Sequence, residues 1–159
     1  MSLAPYVPTP NEVVRAMLQV AELKSGETLY DLGCGDGRIV LMAAQEFGAK
    51  AVGVELDEDR YNDCRKKVQD LHLENRVNII RGDFLSIDLR EADVVTLYLL
   101  TGSNEKIRPN LEHYLKNGVR VVSHDFEMPG WKPVKVQDIK ESESYSYSHT
   151  LYLYKIQRK

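Results

Sequence analysis

The chain has 159 residues, enough for one domain, and its 43% hydrophobic and 28% charged content is ordinary for a globular protein. No apolar run approaches the ~20 residues of a membrane span, and the opening MSLAPYV lacks the charged-then-apolar pattern of a signal peptide. A formal net charge of −3 disfavours attachment to nucleic acid through a broad basic face.

The two cysteines, Cys34 and Cys64, form no Cys-x-x-Cys pair and no set with zinc spacing. Without that spacing no metal is expected; without a span or signal peptide a cytoplasmic protein is, and a disulfide is not expected in that reducing compartment. A single domain over 1–159 is expected, since no linker, repeat or low-complexity segment interrupts the chain.

Thr9-Pro10-Asn11-Glu12 fits a capping box, with Thr9 as N-cap, Pro10 at N1 and Glu12 at N3. The helix it opens carries an apolar stripe at Val13, Val14, Met17, Leu18 and Ala21, and Lys24-Ser25-Gly26 ends it. Short strands then alternate with amphipathic helices. Strands are expected at Thr28–Asp31, Ala51–Glu55, Val77–Arg81, Asp93–Leu99 and Arg120–His124. Between them, one helix is marked by Val40, Ala43, Ala44 and Phe47 with Gly48 at C′. Asp57 can cap another, whose buried face is Tyr61, Cys64, Val68 and Leu71. A third carries Ile107, Leu111, Tyr114 and Leu115, is kinked or restarted at Pro109, and ends at Asn117-Gly118. Val134–Ile139 and Thr150–Ile156 then read as two strands with no helix between them, joined by a polar loop. The chain is therefore expected to be α/β, Rossmann-like and mostly parallel, with an antiparallel hairpin at its C-terminal end.

The most informative stretch is YDLGCGDGRIV, residues 30–40. A strand ends at Asp31, Gly33, Gly35 and Gly37 follow, and a helix opens. Glycines there let the backbone turn tightly and approach a ligand, and the helix N-terminus offers free N–H groups. The next strand ends in Glu55, twenty residues after Gly35, where an acid can take both hydroxyls of a ribose. The spacing is G-x-G-x-G, with Arg38 where the third glycine of the dinucleotide fingerprint would fall, and no phosphate-binding P-loop is present. Asp31 and Asp36 in the loop suit a ligand with a positive amino group better than a pyrophosphate. Cys34 reads as a small packing residue, without a histidine partner to activate it, and Cys64 as core.

DLGCGDG followed by Glu55 resembles motif I and the following acid of the class I S-adenosylmethionine-dependent methyltransferases. That family has a seven-stranded sheet whose last pair is an antiparallel hairpin. The resemblance implies that S-adenosylmethionine is bound and S-adenosylhomocysteine released. It places Gly33, Gly35 and Gly37 under the cofactor, Asp31 at its amino group and Glu55 at its ribose. Asp83 of GDF would accept from the adenine amine, with Phe84 beside the ring; Asp83 read alone is equally a turn or cap residue.

Three segments together, PYVPTP at 5–10, DLGCGDGRIV at 31–40 and RVVSHDFEMPGWKPV at 120–134, resemble the small seven-strand protein lysine methyltransferases, archaeal and mitochondrial. That resemblance implies protein substrates with exposed lysines. It lays residues 1–24, a segment and a helix, over the cofactor, with Tyr6 and Thr9 at the pocket. The alternatives are an RNA or small-molecule methyltransferase on the same fold, or a non-catalytic cofactor-binding subunit. The stretch after the fourth strand, YLLT at 98–101, lacks the Asn/Asp-Pro-Pro-aromatic motif typical of base amino-group methylation. No cysteine beyond Cys64 is available as a cytosine C5 nucleophile.

A lysine acceptor needs alignment and desolvation more than a strong base, which predicts an aromatic channel. Tyr98 is the candidate at the end of strand four, with Phe126 and Trp131 as channel walls; ordinary packing is the alternative for each. His124 is a candidate proton acceptor, with a structural role equally open. Asp125 and Glu127 are placed to attract a basic substrate. SYSYSH, 144–149, reads as a solvated loop entering the last strand. A monomer is expected, with no membrane partner and no strong nucleic-acid signal.

Overall fold

A computed structural model describes residues 9–141 and 148–158. Seven strands form one sheet in the order β3-β2-β1-β4-β5-β7-β6. In chain order the elements are α1 (Asn11–Val20), β1 (Thr28–Leu32), α2 (Arg38–Phe47), β2 (Lys50–Glu55), α3 (Glu58–Asp70), β3 (Val77–Arg81), a 3₁₀ turn (Phe84–Ser86), β4 (Val94–Leu97), α4 (Thr101–Tyr114), β5 (Arg120–His124), β6 (Lys135–Lys140) and β7 (Ser148–Lys155). Strands β1 to β5 run parallel, and β7 pairs antiparallel with both β5 and β6. The expected Rossmann-like sheet and its terminal hairpin are both present.

The sheet is buried on both faces because its central strands are apolar at successive positions. Val94 and Val122 face a core with α1, α2 and α3, built on Val13, Met17, Leu18, Val40 and Cys64. Val95 and Val121 face a second core with α4, built on Ile107, Leu111 and Leu115. The alternation of neighbours between two cores is the period-two pleat of a strand. The order of the strands reverses between β1 and β4, which run parallel, so their C-terminal ends open a crevice at the switch point of the sheet. Arg120, opening β5, locks the far end of α1 to the sheet. Its Nε donates to the Ala21 carbonyl at 3.0 Å and its Nη2 lies 2.6 Å from Glu27 Oε1.

Several expectations need correction. The N-cap of α1 is Pro10, whose carbonyl accepts from Val13 and Val14, rather than Thr9. The Thr9 hydroxyl is drawn instead toward His124. α1 ends at Val20, short of Lys24. α4 runs through Pro109 as one helix from Thr101 and stops at Tyr114, before Asn117. Pro109 is exposed, so the helical carbonyl it leaves unpaired can reach water. Leu71 caps α3 with 45% of its surface exposed rather than buried. β4 is shorter than expected, because the Asp93 carboxylate takes the Thr28 N–H at its start and Tyr98 lies beyond its end. The Asp57 cap is present, accepting from Arg60 N at 3.0 Å.

Candidate active site

The glycine loop leaves β1 and closes back on β2. The Gly33 and Cys34 N–H groups both donate to the Val54 carbonyl, at 2.8 and 3.0 Å. Gly33, Gly35 and Gly37 have φ of +83°, +57° and +85°, a conformation that a Cβ disfavours. Cys34 packs inward, as expected: its Sγ would lie 2.8 Å from a Cβ on Gly53, so the neighbouring strand needs glycine there. Cys64 is fully buried, and both thiols are free.

Two buried acids flank the loop. Glu55 is 6% exposed; its Oε1 accepts from Gly35 N at 2.8 Å and its Oε2 from Asp57 N at 3.0 Å. Asp31 is 3% exposed, and the Thr96 hydroxyl of β4 donates to it at 3.0 Å. Burial pushes the Asp31 carboxyl up to about 7, against the lowering effect of the Thr96 hydrogen bond. That acid lacks a cationic partner among the described interactions, and a ligand ammonium would relieve its burial. Asp36 differs from the expectation of a ligand contact. The Arg38 guanidinium binds it at 2.6 Å and outweighs burial, holding the carboxyl below its usual range. Asp83 is exposed and accepts from Leu85 N at 2.9 Å, capping the 3₁₀ turn. Phe84 is buried, with Cε1 4.0 Å from where a Gly33 Cβ would stand.

A second cluster gathers at the C-terminal ends of β4 and β5. The Tyr98 ring stacks on His124 at 4.0 Å between centroids and on Phe126 at 6.3 Å. His124 is fully buried. Its Nδ1 lies 3.4 Å from Thr9 Oγ1 and its Nε2 2.7 Å from His149 Nδ1. His149 Nε2 in turn lies 2.9 Å from Glu141 Oε1. Burial pushes His124 down to about 4, opposed by Asp125, so the ring is neutral at physiological pH. Burial, with the Asp125 charge, also raises the Tyr98 phenol. Asp125 has φ of +66°, and its Oδ1 accepts from Thr150 N at 2.9 Å, which fixes the turn to β7. From α4, the buried Asn104 amide donates to the Phe126 and Glu127 carbonyls at 3.2 and 3.0 Å and to Ser123 Oγ at 3.2 Å.

Thr9 joins the two clusters. Its carbonyl accepts from Arg38 Nη1 at 2.8 Å, beside the glycine loop, while its hydroxyl faces His124. Tyr98, His124, Phe126 and Thr9 are thus brought together. Trp131 stands elsewhere: its indole N–H donates to Glu112 at 3.1 Å and its ring meets Tyr154 edge-on at 5.6 Å. It lines a groove of about 570 Å³ with Gly130 and Arg158. Tyr6 lies outside the described residues. His149 is not in a solvated loop but on β7 against His124.

Sequence reasoning missed Thr96, Arg38's hold on Thr9, Asn104, Glu141 and His149. Asn104 had a faint signal as a polar residue on the apolar stripe of its helix; the others have none, because their partners are distant in sequence.

Comparison with known proteins bears on what this arrangement serves. Residues 31–135 match the family model for the ANTKMT methyltransferase domain. A protein-lysine N-methyltransferase of Saccharolobus islandicus is 46% identical over 96% of this chain and 93% of its own. The adenine nucleotide translocase lysine N-methyltransferase of Mus musculus is 33% identical over 83% of this chain, which spans 57% of that relative's length. The crystal structure of an RNA methyltransferase from Salinibacter ruber in complex with S-adenosyl-L-homocysteine is 42% identical, with a TM-score of 0.87 over 96% of this chain and 95% of that one. Loop, acids, sheet order and these likenesses agree, and the chain belongs to the ANTKMT methyltransferase domain family of S-adenosylmethionine-dependent methyltransferases.

Proposed function

We propose that this protein methylates the side-chain amine of lysine in protein substrates. The observation that carries the reading is the 46% identity, over nearly the full length of both chains, to a protein-lysine N-methyltransferase. S-adenosylmethionine, when bound, supplies the methyl group on a sulfonium with a neutral leaving group. Gly33, Gly35 and Gly37 would leave room for it over the loop, Asp31 would hold its ammonium, Glu55 its ribose hydroxyls, and Asp83 and Phe84 its base.

The chain's own work is to align and neutralise the acceptor. Free lysine has a pKa near 10.4, so deprotonating it at pH 7 costs about 4.6 kcal/mol. Tyr98 and Phe126 offer apolar ring surface that strips water from the amine, which favours its neutral form. The same rings attract an ammonium, so the channel must desolvate more than it stabilises. A neutral His124 beside Tyr98 is available to accept a proton. Trp131, apart from this cluster, fits a substrate-facing groove better than the channel. The protein is proposed to act as a cytoplasmic monomer. Among the described residues no helix is long and apolar enough to cross a membrane.

The second reading is RNA methylation, favoured by the 42% identity to the Salinibacter ruber enzyme. YLLT in place of the base-methylation motif and the net charge of −3 weigh against it. Incubation with methyl-labelled cofactor, a protein extract and total RNA separates the two. Label in methyl-lysine after acid hydrolysis is the expected result; label confined to nucleosides overturns the reading.

A further inference from the structure

Four groups from four parts of the chain stand in one line: Thr9 ahead of α1, His124 ending β5, His149 on β7 and Glu141 just after β6. Their partners dictate the tautomers. A carboxylate only accepts, so the proton 2.9 Å from Glu141 Oε1 belongs to His149 Nε2. His149 Nδ1 is then an acceptor, and the proton in the 2.7 Å contact belongs to His124 Nε2. That leaves His124 Nδ1 with a free lone pair, aimed at the Thr9 hydroxyl 3.4 Å away. Every donor in the line points toward Glu141 and every acceptor toward Thr9.

We propose that His149 and Glu141 are the outlet of a proton relay that enters at the Thr9 hydroxyl and His124 Nδ1 and carries away the proton released by the acceptor amine. The proposal rests on the lysine reading above. The N–H bond of the acceptor ammonium breaks and its proton passes to Thr9 Oγ1, while the hydroxyl proton passes to His124 Nδ1. His124 gives its Nε2 proton to His149 Nδ1, and His149 gives its own to Glu141 Oε1. Glu141 is partly exposed, so it returns the proton to water. The amine keeps the electron pair with which it attacks the methyl group. His149 and Glu141 are positioning residues, acting through His124.

Among the described residues, the other groups facing His124 are Tyr98 from the end of β4 and Asp125 in the turn after β5. Asp125 Oδ2 lies 3.5 Å from His124 Nε2 and 3.9 Å from His149 Nδ1, where it stabilises a positive ring during transfer. The same three side chains have donor atoms within 4.8 Å of one another and form a conceivable metal set. The short His–His contact favours the hydrogen bond. Two imidazoles on one tetrahedral zinc would hold their nitrogens about 3.3 Å apart, against 2.7 Å here.

Two measurements test the relay. Long-range ¹⁵N–¹H spectra of the labelled protein are expected to show both rings protonated at Nε2 and bare at Nδ1, with Glu141→Ala releasing the His149 tautomer. Protonation of His149 at Nδ1, or a stoichiometric divalent ion that alters these signals when chelated, overturns the proposal. Methyl transfer to lysine in the same protein extract is then followed against pH by mass spectrometry. His149→Gln is expected to lose on the order of 100-fold at pH 7 but only about threefold near pH 10, where water alone deprotonates the amine. An equal loss at every pH marks a structural role and overturns the relay. Correct tautomers with no methyl-lysine from the unaltered protein overturn the lysine reading instead.

Discussion

The main-chain N–H of Gly35 donates to Glu55 Oε1 at 2.8 Å, so the acid that ends β2 also closes the glycine loop of β1. Its other oxygen takes Asp57 N at 3.0 Å, at the N-cap of α3. One buried carboxylate therefore sets the loop, the helix start and the proposed ribose contact together. Glu55→Ala is expected to weaken cofactor binding by on the order of 1.5–3 kcal/mol through lost charge-assisted hydrogen bonds. Calorimetry checks this, and an unchanged Kd removes Glu55 from the ribose.

Asp31 makes the affinity depend on pH. Burial has raised its carboxyl to about 7 in the free protein, and a bound ammonium favours the ionised form. Affinity is therefore full above about pH 7 and falls as the carboxyl protonates below it. Binding near that pH must release a proton, so the calorimetric heat will vary with the ionisation enthalpy of the buffer. Asp31→Asn is expected to bind weakly and without this dependence. A buffer-independent heat for the unaltered protein would remove Asp31 from the ammonium.

What was legible in the sequence is what local rules decide. β3 and β5 run from Val77 to Arg81 and from Arg120 to His124, as read, because each is an apolar run bounded by turn residues. The glycine loop was legible because three glycines in seven residues answer a local backbone need. Thr9 was misread for the same reason: its local pattern is a cap, and the partner that claims its hydroxyl is 115 residues away. His149 reads as the end of a solvated loop until β7 pairs with β5 and brings Leu151 opposite His124. Nothing in SYSYSH carries that register.

Gly37 tests the loop's tolerance. At φ of +85° it caps α2, and an added Cβ would stand 2.4 Å from Cys64 Sγ. Gly37→Ala is expected to cost about 1–2 kcal/mol for the left-handed backbone and about 1–3 kcal/mol more for the overpacked contact. Cys64→Ala in the same chain should recover the second part and not the first. Urea unfolding of the single and double variants measures both, and full recovery would mean that the backbone strain is absent.

Asn104 holds the turn that carries Phe126 through two carbonyls and Ser123, and it is fully buried. Asn104→Ala is expected to destabilise by about 1–3 kcal/mol, since the carbonyls lose their donor inside the protein. The cofactor loop is untouched, so the cofactor Kd should stay constant while the transfer rate falls. A Kd that rises as the rate falls would show that the turn and the loop are coupled.

The segment ahead of α1 is the last and sharpest case. Residues 1–8 lie outside the described structure, yet Thr9, which follows them, is held at both ends. Arg38 Nη1 binds its carbonyl at 2.8 Å and His124 faces its hydroxyl. α1 begins at Asn11, and its Val13 and Val14 N–H groups donate to the Pro10 carbonyl, so the first turn of the helix is anchored behind Thr9. Deleting them is therefore expected to leave thermal unfolding nearly unchanged. If Tyr6 and its neighbours wall the pocket, as the resemblance implies, the same deletion abolishes methyl transfer. Unfolding by circular dichroism and methyl-lysine by mass spectrometry, on one preparation, separate the two effects. A truncated protein that stays fully active would place the working site entirely behind Thr9.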